Sequence, residues 1–289
     1  MRAYLPSYEL VVPRTLGDAL ALLRDEPGVW RPFAGGTDLM VLLEAGRLEH
    51  RRFFSIRHLS ELRGVGEADG VVRVGALTTY ADVRRSELLS RLFPMLGQAA
   101  RETGGIAIQN RGTVGGNIAN ASPAADTPPA LLAYDARVEL VSAGGTRLVP
   151  YAEFHTGYKQ TSMRADELLA AVLLPKPGEG ARHFYRKVGT RRAQAISKVC
   201  LAALAEVEGE TLREVRVALG SVAPVVLRCL RTEEVLRGRA LGGEVLEAAV
   251  EELGREVTPI DDVRSTARYR TRVSQNLMRE FLSGLGSRQ

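Results

Sequence analysis

The sequence predicts an α+β fold in two parts, and three observations carry that prediction. Strand and helix signals alternate through residues 1–57. A glycine-pair hairpin and a wholly apolar strand close the next stretch, up to residue 175. Beyond "PKPGEG", residues 175–180, the pattern changes to long strands followed by helices.

In order along the chain, "YELVVP" is a short strand. Thr15-Leu16-Gly17-Asp18 has capping-box spacing, with Asp in place of Glu, and leads into the helix "ALALLRDE". "VWRPFA" is a strand, "DLMVLLEAG" a helix stopped by Gly46, and "RFFSI" a strand. This β-α-β-α-β run predicts a small sheet with mostly parallel strands. "GVVRVGALTTYADV" gives a strand and a short helix, and "LLSRLFPMLGQAARET" one helix ending near Gly104–Gly105. "RVELVSAGGTRLVP" is a hairpin about Gly144–Gly145, and "ELLAAVLLP" is a buried strand. "RHFYRKVG" is a strand, and two antiparallel strands meet at Gly209. Helices are expected at about 230–238, 243–254 and 265–284, on one side of that sheet. The expected units are 1–175, with subdomains of about 1–57 and 58–175, and 180–286.

Composition narrows the function. A chain of 289 residues exceeds what one core organises, and 45% hydrophobic content is ample for buried cores. No apolar run approaches the ~18 residues of a membrane span. "MRAYLPSYELVVP" lacks the apolar core of a signal peptide, so a cytoplasmic protein is expected. Cys200 and Cys229 form no CxxC pattern, which excludes a self-contained iron–sulfur site. The histidines at 50, 58, 155 and 183 have no metal-ligand spacing. The formal charge is +5, but acids are interleaved with the arginines. "HRR" at 50–52 and "TRR" at 190–192 are too short for a nucleic-acid tail. Arg191–Arg192 is read as a solvated or intersubunit pair.

Two glycine-pair loops carry the chemistry: Phe33-Ala34-Gly35-Gly36-Thr37-Asp38-Leu39 and Thr113-Val114-Gly115-Gly116-Asn117. A pyrophosphate needs several converging N–H donors, and glycine lets a backbone approach closely or adopt positive φ. Read alone, a glycine pair at a strand–helix corner is an ordinary tight turn. Two in one chain can grip one anion from both sides. Asp126, nine residues after Asn117, can accept from a sugar or ribityl hydroxyl. Asp38 is the awkward member beside a phosphate, and capping its helix is the expected role. No GxxxxGK[ST] is present, and "GVGEADG" at 64–70 has the wrong spacing and precedes a strand.

"FAGGTDL", followed about 75 residues later by "NRGTVGGNIANASPAADTPPALLA", resembles the flavin-binding medium subunit of the molybdenum hydroxylases, of the xanthine dehydrogenase, carbon monoxide dehydrogenase and aromatic-CoA reductase types. "FYRKVGTRRAQAISKV", 184–199, resembles a third family segment, so the similarity spans nearly the whole chain. The resemblance implies a PCMH-type two-subdomain FAD-binding domain, a C-terminal α+β domain and noncovalent FAD. It places Phe33, Ala34, Gly35, Gly36, Thr37, Asp38, Leu39, Thr113, Gly115, Gly116 and Asn117 around the pyrophosphate. It places Asp126 on a hydroxyl, and Leu168, Leu169 and Lys187 near the flavin. Read as plain residues, Leu168 and Leu169 are also consistent with apolar core, and Lys187 with an exposed strand position. Ala107-Ile108-Gln109-Asn110 departs from the Gln-Ile-Arg-Asn of many relatives.

The resemblance further implies an electron-transfer subunit. Its partners would be a molybdenum-cofactor large subunit and a [2Fe–2S] small subunit, in a dimer of heterotrimers, with an external acceptor such as NAD, a quinone or oxygen. A stand-alone flavin oxidoreductase and a non-redox nucleotide-binding scaffold remain as alternatives.

Overall fold

The structure is a computed structural model and describes residues 7–191 and 194–286. Strand β1 (Glu9–Val11), helix α1 (Leu16–Asp25), strand β2 (Arg31–Phe33), helix α2 (Leu39–Glu44) and strand β3 (Arg52–Ser55) open the chain. They form a three-stranded parallel sheet in the order β1-β3-β2. The capping box at Thr15 forms: its hydroxyl accepts from the Asp18 N–H, and the Asp18 carboxylate accepts from the Thr15 N–H. Ala19 and Leu23 of α1 then reach a core shared with Trp30, Phe54 and Leu168.

β4 (Val65–Ala68) and β5 (Val71–Gly75) make a hairpin whose turn, Asp69-Gly70, has φ of 51° and 76°. Positive φ at both positions is the two-residue turn that matches strand twist. "GVGEADG" is therefore a strand and its turn. Helices α3 (Tyr80–Arg85), α4 (Glu87–Leu92) and α5 (Pro94–Glu102) follow. The single helix expected across 88–103 is thus two. Pro94 lacks an N–H and disfavours helical geometry at the preceding residue, and Phe93 sits at φ −133°, ψ 56°.

Next come α6 (Ile106–Gln109), α7 (Val114–Ala119), α8 (Thr127–Ala133), β6 (Arg137–Ser142), β7 (Gly145–Pro150) and α9 (Tyr151–Phe154). After them lie β8 (His155–Gly157), β9 (Gln160–Thr161) and β10 (Leu168–Pro175). β4, β5, β10, β6 and β7, in that order, form an antiparallel sheet, with the predicted buried strand β10 at its centre.

β11 (Arg182–Val188), β12 (Val199–Glu208), β13 (Thr211–Gly220) and β14 (Leu227–Arg228) form the last large sheet, antiparallel in chain order. Helices α10 (Leu230–Leu236), α11 (Gly243–Glu256) and α12 (Ala267–Gly286) complete the chain. β12 is apolar on both faces because both are covered. Val199, Leu201, Ala203 and Ala205 share a core with Leu253 of α11 and Phe281 of α12. Cys200, Ala202 and Leu204 share one with α8 and α5. All seven residues of α8 are buried, so this helix is a wedge between the two large sheets.

Ionic contacts reinforce that junction. Asp135, just beyond α8, forms an ion pair with Arg216 at 2.9 Å and accepts from Arg228 at 2.5 Å. Arg228 also donates to Leu132 O and is gripped by both carboxylate oxygens of the fully buried Glu233. Burial pushes the Glu233 carboxyl up, and Arg228 opposes it.

Candidate cofactor site

β2 delivers the first glycine loop to the edge of the small sheet. The N–H groups of Gly35, Gly36, Thr37, Asp38 and Leu39 find no acceptor among the described residues. Such a run of unspent donors in a half-buried corner suits an anion. Gly35 is required by space: a Cβ there would lie 2.0 Å from the Arg111 carbonyl oxygen. Gly36 has φ 76°, and a Cβ would meet the Phe33 ring at 2.7 Å. The first loop therefore packs on the backbone of Arg111 and Gly112, just ahead of the second loop, and the Arg111 guanidinium donates to Gly35 O at 3.4 Å.

Asp38 does not cap its helix, contrary to expectation. Its backbone is already helical (φ −91°, ψ −45°), and its side chain makes no capping bond. A capping side chain needs extended backbone to fold over the first turn. Asp38 instead accepts from Asn120 Nδ2 at 3.2 Å.

The second loop also differs from expectation. Its N–H groups are spent inside the fold: Val114 on Thr78 O, Gly115 on Ala76 O and Asn117 on Thr113 O. Gly116 N–H goes to Thr113 Oγ1, which makes Thr113 the cap of α7. Gly115 is there for close approach, since a Cβ would meet that of Ala76 at 2.6 Å. A Cβ at Gly116 would meet Thr113 Oγ1 at 2.9 Å.

What the second segment offers is side chains. Asn117 Oδ1, Thr127 Oγ1 and Tyr151 Oη are buried without a hydrogen-bond partner among the described residues. The Tyr80 hydroxyl lies beside Asn117 and Thr127, and burial pushes it well up. These atoms are enclosed by the chain itself, which makes them interior groups of the fold.

Asp126 precedes α8 and faces the last sheet. Its carboxylate accepts from Lys187 Nζ at 2.7 Å and Ser197 Oγ at 2.7 Å, and its carbonyl accepts from Tyr185 Oη at 3.2 Å. Lys187 also donates to Glu102 O at 3.0 Å. The Lys187 side chain is only 5% exposed, so the exposed-strand alternative is overturned. Burial raises the Asp126 carboxyl, while Lys187 and Ser197 pull it down. Glu102 is raised for the same first reason, burial. Each Asp126 oxygen keeps a further lone pair for a hydroxyl donor.

Leu168 and Leu169 occupy apolar cores on opposite faces of β10. The structure thus brings the first loop against residues 111–120, and Asp126 to Lys187. Leu168 shares its core with Ala34 of the first loop, and Leu169 shares its core with Val114 and Ile118 of α7. Arg191 donates to Gln194 O at 2.8 Å, and Arg192 lies outside the described residues. Asn120, Thr127 and Ser197 lie inside the quoted family segments but were not singled out there, and Tyr80 and Tyr151 had no local sequence signal.

Residues 6–177 match the family described as the FAD binding domain in molybdopterin dehydrogenase. Residues 183–285 match the CO dehydrogenase flavoprotein C-terminal domain. The chain belongs to this family. It is a FAD-binding oxidoreductase subunit of the molybdenum hydroxylase type. Among similar proteins, the xanthine dehydrogenase FAD-binding subunit of Escherichia coli O157:H7 is 35% identical over 273 residues, covering 93% of this chain and 92% of that protein. The carbon monoxide dehydrogenase medium chain of Hydrogenophaga pseudoflava is 28% identical over 283 residues, covering 98% of each. The solved carbon monoxide dehydrogenase of that organism superimposes with a TM-score of 0.92, at 28% identity and 96% coverage of both chains.

Proposed function

We propose that this subunit relays electrons from an iron–sulfur partner to an external acceptor, and that its two glycine loops hold the FAD that does so. One observation supports the site above others: five consecutive N–H donors, Gly35 to Leu39, lack acceptors at a corner too tight for a Cβ at Gly35. On this reading those donors, with Phe33, Ala34 and the Thr37 hydroxyl, take the pyrophosphate. Thr113, Gly115 and Gly116 shape the opposite wall by fixing α7 against Ala76. Asn117 lines the same wall beside the pyrophosphate, and Asp126 turns its remaining lone pairs to a sugar or ribityl hydroxyl. Lys187 holds positive charge beside Asp126, where it can offset electron density gained by the ring. Leu168 and Leu169 support the wall from the core.

Bound FAD supplies the electron-accepting and electron-donating ring; the protein orients it and sets its electrostatics. No acid–base dyad for substrate chemistry is needed in such a subunit. The relatives named medium chain or medium subunit support partners of the family's kind, a molybdenum-cofactor large subunit and a [2Fe–2S] small subunit in a dimer of heterotrimers.

The test is purification of the chain from its native host. Stoichiometric FAD, copurifying molybdenum and iron–sulfur subunits, and flavin bleaching on addition of the complex's substrate are expected. A chain that turns over substrate alone, with no partner present, overturns the relay reading.

A further inference from the structure

Asp38 places a carboxylate in a loop whose backbone is built for an anion. On the reading above, that charge opposes the pyrophosphate, and something must offset it. The structure has a candidate device at the rim. Asn120, in the turn after α7, donates through Nδ2 to Asp38 Oδ1 at 3.2 Å and accepts through Oδ1 from Lys159 Nζ at 2.5 Å. This is the amide orientation that satisfies both neighbours; the reverse sets an NH₂ group against an ammonium and an oxygen against a carboxylate. Lys159 itself holds φ 58° in the two-residue connection between β8 and β9. A lysine in the left-handed region is uncommon, and such strain persists where the surroundings hold it.

We infer that Lys159, oriented by Asn120, is a positioning residue that neutralises Asp38, so that the first loop can accept a dinucleotide pyrophosphate despite its carboxylate. The bridge also joins three separate segments: the first loop, the end of α7 and the β8–β9 turn. It rests on the FAD reading but goes beyond it, because it assigns Lys159 the task of offsetting the Asp38 charge beside the ligand.

The test is a double-mutant cycle on the full complex stripped of flavin and titrated with FAD by fluorescence quenching. At low ionic strength Lys159→Gln should weaken FAD binding about three- to tenfold, the scale of one unmasked surface charge near an anion. Asp38→Asn alone removes the opposing charge and should tighten binding by a similar factor, and Lys159→Gln/Asp38→Asn should return to the level of the unaltered protein. Lys159→Arg should bind like the unaltered protein. The Lys159→Gln deficit should shrink near ~1 M salt, where the screening length falls to about 3 Å.

Lys159→Gln binding FAD normally at low salt overturns the inference. So does a double variant as weak as Lys159→Gln, because Lys159 would then act on the ligand directly or on folding. A thermal melt of each variant separates that last case. If the unaltered stripped complex takes up no FAD, the FAD reading fails and the inference with it. Normal uptake with a flat cycle sinks the inference alone.

Discussion

At Gly35 a single hydrogen is all the fold allows. Gly35→Ala would drive a methyl group into the Arg111 carbonyl, 2.0 Å away, and separate the two loops. The expected result is a loss of roughly 1–3 kcal/mol of stability, typical of overpacking, together with more than a tenfold loss of FAD affinity. Denaturant titration and FAD titration read the two effects separately. Lys187 is a residue-scale case of a different kind. A carboxyl whose pKa is raised on folding, as burial raises Asp126, holds a proton that the unfolded chain releases. Its contribution is present below the unfolded value near ~3.9 and is lost as pH rises through the folded value. Lys187→Met removes the main opposing charge and should carry that loss to higher pH. Stability measured at stepped pH upward from the unfolded value should go on falling to higher pH in Lys187→Met than in the unaltered protein, and Asp126→Asn should abolish the difference. An unchanged slope would show that Lys187 does not govern Asp126.

Among the elements, the entrance to α12 gives the opposite sign of pH dependence. Burial alone would raise the Asp262 carboxyl. The Arg264 and Ser265 N–H groups and the Arg270 guanidinium outweigh that and hold it down at about 2. Its contribution is complete above the unfolded value and disappears as pH falls toward 2. Asp262→Asn should therefore lower stability at neutral pH and flatten the acid limb of the stability curve, which denaturation at stepped pH will read. Element-level legibility was uneven for physical reasons. α1 announced itself through Thr15 and Asp18, whose capping is local. β12 was legible because both its faces are apolar. β4 was not, since Val65-Gly66-Glu67-Ala68 is held only by its pairing with β5. α8 hid behind Pro128-Pro129, which reads as a loop but occupies the first turn of a helix, where a missing N–H costs nothing. The candidate site divides in the same way. Gly35, Gly36, Asp126 and Lys187 stood out as residue types. The spending of the second loop's donors on Ala76 and Thr78, and the Asn120–Lys159 bridge to Asp38, depend on chain segments far apart in sequence.

Across the whole molecule, the junction between the two large sheets is the mechanical centre. Arg228 compensates Glu233, which is wholly buried, and ties it to Asp135 beyond α8. Arg228→Met should cost roughly 3–5 kcal/mol by stranding a buried carboxylate, and Arg228→Met/Glu233→Gln should recover much of it. Equal losses in the single and double variants would place the cost in the Asp135 and Leu132 contacts instead. The full burial of α8 has a consequence for how the protein is made. On the ribosome this helix emerges before the strands that will cover its far side. At about 5–20 residues per second, the nascent chain carries a bare apolar helix for several seconds until β12 and β13 arrive. That interval is when a chaperone has most to protect, and slowing translation just downstream of β10 should increase aggregation rather than relieve it.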